Sequence, residues 1–452
     1  MRTATQNPRK AAGGDLRGRN FLRRLTLATG GGFFIDGFIF ASVAAALAGK
    51  AMSHDIGITP VWSGLISSST LIGTFFGSLV VGYVTDRLGR RPMFTIDFIT
   101  FAVSAALMFL VAAPWQLFIL ALVMGLAIGA DYSIASPLLT EFAPRARRGN
   151  YLGVLEILWN VGYVVGYLAG YLINADRPGA WHITLAMSLV PAVFCLVIRH
   201  GLPESPRWLS SKGRQEEAAA IMRRKLGAIA DAEDFGTEPA APTRYRVLFS
   251  AGYLQRTVFA ATFWTCIVLP YFALIFFQPT VLTAIGLGNS ALAGAVLGTI
   301  IALAGVIVGW YLVDRVGRRR ILIWPMFACA VTLLVVSFGH ALPVWLGTAS
   351  FFGYLFSYGI MSVLTGIYPD EIFPTPIRAA GVGLAAAASR IGAAIGTFVL
   401  PISLAGLGLR WTMIFMVAVS LAGGITALMW APETKGVRLT EASAPGAGLP
   451  GT

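Results

Sequence analysis

Three ionisable side chains stand in stretches that are otherwise apolar: Asp36 in FFIDGFIF, Asp131 in GLAIGADYSI and Arg390 in ASRIGAAIG. A charge in such surroundings is expensive and is kept mainly for function. Counting 1.5 Å per helical residue, Asp36 lies about 15 Å, Asp131 about 16 Å and Arg390 about 18 Å from the basic end of its stretch, so the three reach a similar depth. A buried carboxylate can take up and release a proton, or it can act structurally as an acceptor for backbone and hydroxyl donors. A buried guanidinium offers a planar fork that fits a carboxylate or a phosphate, or it can pair with an acid of its own chain. Tyr132 adjoins Asp131, while Trp264, Thr265, Tyr271 and Gln278 in one stretch and Asn160 and Tyr163 in another add aromatic and polar groups. Aromatic walls with a few polar groups are the usual lining of a small-molecule site.

Nothing comparable points to an enzyme. None of His54, His182, His200 and His340 falls mid-stretch, and no GxxxxGK[ST] loop occurs. Cys195, Cys266 and Cys329 have no paired spacing and read as small apolar residues. No metal and no cofactor are called for.

The elements that must hold these side chains are apolar runs of about 18 residues or more, the length needed to cross a bilayer. There are twelve: 27–49, 63–84, 92–112, 115–142, 151–173, 181–199, 257–281, 291–313, 320–339, 343–368, 378–402 and 411–431. Of the residues, 56% are hydrophobic and 12% charged, and that charged fraction is about half the soluble norm. The expected class is an all-α membrane protein of twelve transmembrane helices. Residues 1–24 form a basic tail that does not read as a signal peptide. Residues 25–200 and 255–432 form two six-helix bundles, 201–254 a linker and 433–452 a second tail. Placing the tails inside puts 30 of the 34 Lys and Arg on the cytoplasmic side, ten of them in and beside the central linker, as positive-inside sorting demands. The net charge of +13 therefore follows topology, and nucleic acid is excluded as a partner.

The chain repeats itself. GYVTDRLGRR at 82–91 returns as WYLVDRVGRR at 310–319, EFAPRARRG at 141 as EIFPTPIRAAG at 371, and PESPRW at 203 as PETKG at 432. The offsets are 228 to 230, so six helices separate the copies and the halves run parallel. Asp86 and Arg87, with Gly89, Arg90 and Arg91, put both signs and a flexible glycine at the membrane face, able to bridge helix ends through ion pairs. Gly73 and Gly77, Gly125 and Gly129, and Gly162, Gly166 and Gly170 recur at a spacing of four, which reads as close helix packing.

The doubled D-R-x-G-R-R loops, PESPRW and PETKG resemble the sugar-porter and metabolite:proton symporter branch of the major facilitator superfamily over nearly the whole chain. GADYSIASPLLTEF and FFIDGFIF look closest to bacterial inner-membrane metabolite symporters and, more distantly, to phosphate:proton symporters. That resemblance implies secondary transport of a small polar metabolite, an organic acid or sugar-like molecule, by alternating access around one central site. A facilitative uniporter or exchanger is the alternative, and a transporter-like nutrient sensor ranks below both. It implies latches formed by Asp86, Arg87, Arg90, Arg91, Glu141 and Arg148 in the first half and Asp314, Arg315, Arg318, Arg319, Glu371 and Arg378 in the second. Glu156 could join that network, and Asp97 is expected to stabilise the start of the third helix through its dipole.

The implied fold also makes the first and fourth helices neighbours, bringing Asp36 near Asp131. Two carboxylates in one desolvated site cannot both ionise easily. Asp36 is then the expected proton carrier, with Asp131 tuning it or bonding substrate. Arg390, like the arginine on the eleventh helix of aromatic-acid symporters, is expected to anchor an anionic substrate. One departure stands out: Ala121 occupies the position where proton-coupled sugar porters carry the arginine that pairs with the Asp of the first helix. Asp36 must use another partner. The protein is expected to work as a monomer in a cell's inner membrane with both termini cytoplasmic.

Overall fold

The computed structural model describes residues 8–142, 148–176, 179–199, 202–226, 245–250, 252–373 and 375–435. Its frame is twelve long helices: α1 (Pro8–Ala48), α2 (Pro60–Leu88), α3 (Arg90–Leu107), α4 (Pro114–Phe142), α5 (Arg148–Asp176), α6 (Trp181–Arg199), α7 (Leu254–Phe276), α8 (Ala291–Val316), α9 (Arg318–Ser337), α10 (Val344–Ser362), α11 (Thr375–Gly406) and α12 (Gly408–Trp430). Eleven are long and apolar enough to cross a membrane. The twelfth, α10, is diluted by Thr348, Ser350, Tyr354, Ser357 and Tyr358 within its 19 residues. Large apolar side chains point outward, among them Val190 (74% exposed), Leu110 (73%) and Trp324 (71%). That pattern is stable only where lipid takes the place of water.

The helices begin and end where local chemistry dictates. Pro60 opens α2 behind Thr59, whose hydroxyl accepts from the Trp62 amide at 3.3 Å. Between α2 and α3 the chain turns at Gly89 with φ +96°, and between α8 and α9 at Gly317 with φ +101°. Both lie in the left-handed region where a side chain is strained, which is why each D-R-x-G-R-R loop carries its glycine. The seventh helix ends earlier than the apolar run 257–281 predicts. The break falls at Phe277, because Pro279 lacks the amide that a continuing helix needs, and a separate helix Gln278–Ile285 follows. The tenth likewise stops at Ser362, giving way to a 3-10 turn Val363–Thr365 and then a short helix, Tyr368–Ile372.

The two halves pack by the same rule. In the first, α1 lies on α5, α2 on α4 and α3 on α6; in the second, α7 lies on α11, α8 on α10 and α9 on α12. Glycine permits the closest of these contacts. A Cβ on Gly77 would stand 2.1 Å from the Leu126 carbonyl oxygen, and one on Gly305, 228 residues later, 2.3 Å from that of Phe356. The halves meet through α2 with α11 and α5 with α8. At the end of α2 remote from the basic loops the approach is tight: a Cβ on Gly64 would stand 2.5 Å from the Phe398 carbonyl oxygen.

Candidate functional site

The first half holds a buried cluster of charge. Asp36 on α1, Asp97 on α3 and Asp131 on α4 are all buried, and so is Arg199, the last residue of α6. Asp131 Oδ1 accepts from Arg199 Nη2 at 3.0 Å. The same guanidinium donates through Nε to the Ala28 carbonyl at 2.7 Å and lies over the rings of Phe94 and Phe98, at 4.1 and 3.9 Å. Asp131 presses against α1 at Gly32, where a Cβ would stand 1.9 Å from Oδ2. Asp36 is four residues further along the same helix face, so the two acids of the sequence reading share one site, and each lies within the other's electrostatic reach. Among the described residues, neither oxygen of Asp36 has a hydrogen-bond partner.

Two residues depart from expectation. Asp97 does not cap α3: no acid stands in that helix's first turn, and Asp97, seven residues after Arg90, is about 10 Å along the axis. It faces the cluster from between Phe94 and Phe98, and among the described residues its carboxylate also has no hydrogen-bond partner. Arg199, which positive-inside sorting assigns to the cytoplasmic face beside the linker, lies inside the bundle instead. Arg256 is a second such residue, buried on α7 and donating to the Ile372 carbonyl at 3.0 Å. The last residue of an apolar run looks the same in sequence whether it anchors at the interface or folds inward.

Across the interface, Arg390 on α11 stacks over Tyr132 (5.4 Å) and Phe272 (5.9 Å). It makes no hydrogen bond or ion pair among the described residues, while its charge reaches Asp36, Tyr132 and Glu156. Glu156 thus belongs to the centre rather than to the loop network expected of it, and Asn160, one turn on, donates to its backbone carbonyl at 3.0 Å. Thr265 backs α11 at Gly392, where a Cβ would stand 2.4 Å from its methyl group. Trp264 is half-buried against the core. Tyr163 stacks on Trp159 and donates its hydroxyl to the Ile275 carbonyl at 2.9 Å, tying α5 to α7. Tyr271 stacks flat on Tyr358 with centroids 3.5 Å apart. Gln278 lies beyond the end of α7 against Gly298 of α8, its buried amide without a partner among the described residues.

The loops form matching clamps. In the second half Arg318 makes two hydrogen bonds to Glu371, at 3.1 and 3.2 Å, and one to Asp314 at 2.9 Å. Arg315 lies over the Tyr311 ring, and Arg319 donates to the Leu428 carbonyl at 2.9 Å. Arg87 is exposed in the corresponding first-half loop. The side chains of Asp86, Glu141, Arg148 and Arg378 lie outside the described residues. Two further carboxylates take part in the loops. Glu204 accepts from the backbone amides of Arg90 (2.9 Å) and Arg91 (3.1 Å), and Glu433 from those of Arg318 (3.0 Å) and Arg319 (3.3 Å). Each carboxylate caps the start of a helix, α3 or α9, at its positive end. The signal was present, since PESPRW and PETKG are repeats of one another and share this glutamate.

Comparison with known proteins agrees with this architecture. Residues 26–444 match the family model described as Sugar (and other) transporter. The chain is 36% identical to the inner membrane metabolite transport protein YgcS of Escherichia coli, covering 95% of each chain. It is 28% identical to the niacin transporter NiaP of Acinetobacter baylyi over 85% of this chain and 88% of that one. Its fold resembles the xylose transporter XylE from E. coli in a partially occluded inward-open conformation, with a TM-score of 0.78 at 19% identity, covering 93% of this chain and all of that one. The same transporter, described as a proton:xylose symporter and bound to 6-bromo-6-deoxy-D-glucose, gives 0.74 at 20% identity over 94% and 98%.

Proposed function

Because the chain belongs to the Sugar (and other) transporter family of the major facilitator superfamily, we propose that this multi-pass membrane transporter couples a proton to the movement of a small polar metabolite, an organic acid or sugar-like molecule. Asp36 carries the proton. The observation that bears most weight is its position: fully buried at mid-depth, without a hydrogen-bond partner, beside Asp131 and within reach of Arg390 from the other half. A carboxyl so placed is costly when ionised and unpaired, so its proton can be bound and released as the halves rock and change its neighbours.

Arg390 and the rings of Tyr132 and Phe272 supply the substrate contacts, with Asn160, Tyr163, Trp264, Thr265 and Tyr271 on the helices around them. A guanidinium without an ion pair favours an anionic group on the substrate, in keeping with a niacin transporter among the relatives. Gln278 takes part only as a wall of the outer end. The clamps built on Arg318, Glu371 and Asp314, and on their first-half counterparts, hold the closed arrangement of the basic face. In this reading that face is cytoplasmic, the membrane is the inner membrane of a bacterial cell, and one chain suffices.

The test is uptake by proteoliposomes holding the purified protein, with and without an inward proton gradient, using D-xylose and nicotinate as labelled probes. Symport predicts accumulation above the external concentration only with the gradient. Equilibration that ignores the gradient would establish a uniporter or exchanger instead.

A further inference from the structure

The described part of the interior holds four acids, Asp36, Asp97 and Asp131 buried and Glu156 partly so, and two bases, Arg199 buried and Arg390 partly so. They cannot all be ionised at once without leaving two charges unpaired in a medium that penalises each by several kcal/mol. The geometry decides which acid is the paired anion. Arg199 is committed to Asp131 at 3.0 Å, to the Ala28 carbonyl at 2.7 Å and to the faces of Phe94 and Phe98. Among the described residues, Asp36 and Asp97 receive no hydrogen bond. The helix that carries Asp131 has no Lys or Arg of its own, so the counter-ion comes from α6.

We infer that Arg199 is the positioning counter-ion of the coupling site: it keeps Asp131 ionised throughout the cycle and leaves the exchangeable proton to Asp36. This deepens the symport reading and rests on it for the transport step. The groups facing the pair are Asp36 on α1, Asp97 on α3, Tyr132 beside Asp131 on α4 and Cys195 one turn before Arg199 on α6. Arg390 faces Asp36 from α11. Through Ala28 the guanidinium also fastens α6 to α1, so a change in the charge of Asp36 is felt by a pair already tied to its own helix.

The experiment compares the infrared C=O band of protonated carboxyl groups in the purified full-length protein at neutral pH. Arg199→Gln should add one protonated carboxyl, that of Asp131, and the double variant Arg199→Gln/Asp131→Asn should remove it again. Asp131→Asn alone should lose one, because the freed guanidinium recruits Asp36 or Asp97 as its anion. A structural link would move neither, and an unchanged band in both single variants overturns the inference. If Arg199→Gln does not fold, Asp131→Asn and Arg199→Lys decide alone, the lysine variant keeping the wild-type band. In proteoliposomes, gradient-driven accumulation of nicotinate or D-xylose by Arg199→Gln should fall at least about tenfold, as removal of one partner of a buried pair implies, while exchange persists. Wild-type vesicles that ignore the gradient would defeat the symport reading, with the infrared result still deciding the state of Asp131.

Discussion

Asp36 and Arg390 make opposite demands on a substitution. Asp36→Asn preserves size and removes the titrating proton, so gradient-driven uptake should disappear while exchange of labelled for unlabelled substrate continues; accumulation equal to wild type would remove Asp36 from the coupling step. Arg390→Gln keeps a hydrogen-bonding side chain and removes the charge. Uptake of nicotinate should fall by roughly tenfold to a hundredfold, the size of a lost charge-assisted hydrogen bond of about 1.5–3 kcal/mol, and that of D-xylose far less. These two residues and Asp131 could be read from the sequence because a charge in an apolar run has no trivial explanation. Arg199 and Asp97 could not. The first ends an apolar run, where a basic residue has an ordinary topological role, and the second stands near a predicted helix start, whereas α3 begins at Arg90, seven residues earlier.

At the scale of elements, the closest contacts come from glycines, and their effect can be stated in ångströms. Gly32→Ala would place a Cβ 1.9 Å from Asp131 Oδ2 and 2.5 Å from Arg199 Nη2, so the ion pair must shift. Overpacking of this kind typically costs about 1–3 kcal/mol, which a thermal-stability assay in detergent should register as a lowered midpoint together with loss of gradient-driven uptake. A different contact holds the short helix Lys50–Ile56 to the start of α6: Asp55 accepts from Trp181 Nε1 at 3.0 Å. That bond, with His54 beside it, holds the Asp55 carboxyl below its usual range. Its stabilising contribution is therefore present above the unfolded value of about 3.9 and is lost as pH falls through the lower folded one. An infrared titration of the Asp55 carboxylate should place its midpoint below the usual range, and Trp181→Phe should move it back toward that range. The helix ends that the sequence missed, at Phe277 and Ser362, were hidden because the apolar run continues past a break that backbone chemistry imposes.

Over the whole molecule, the repeat of 228 to 230 residues governs the scaffold and leaves the chemistry unpaired. Gly89 and Gly317, Glu204 and Glu433, Gly77 and Gly305 occupy matching places. Asp36, Asp131, Arg199 and Arg390 have no charged counterparts at that offset. Duplication thus supplies two rigid bodies, and the acids of one facing an arginine of the other supply an interior that senses how the bodies are placed. If transport needs them to move, tying them together must stop it. Gly64 on α2 is the point to tie, since its Cβ would stand 3.2 Å from the Phe398 Cα and 2.5 Å from its carbonyl oxygen on α11, so the two backbones already touch and must ease apart by less than about 1 Å to take a disulfide. The pair Gly64→Cys and Phe398→Cys should oxidise in a Cys266→Ser background, since Cys266 is only partly buried whereas the native Cys195 and Cys329 are buried. Uptake should be lost in the oxidised protein and recovered with a reductant, each single variant treated alike giving the baseline. Full uptake by the cross-linked protein would mean that α2 and α11 do not separate on the face away from the basic loops, and alternating access would have to proceed by another opening.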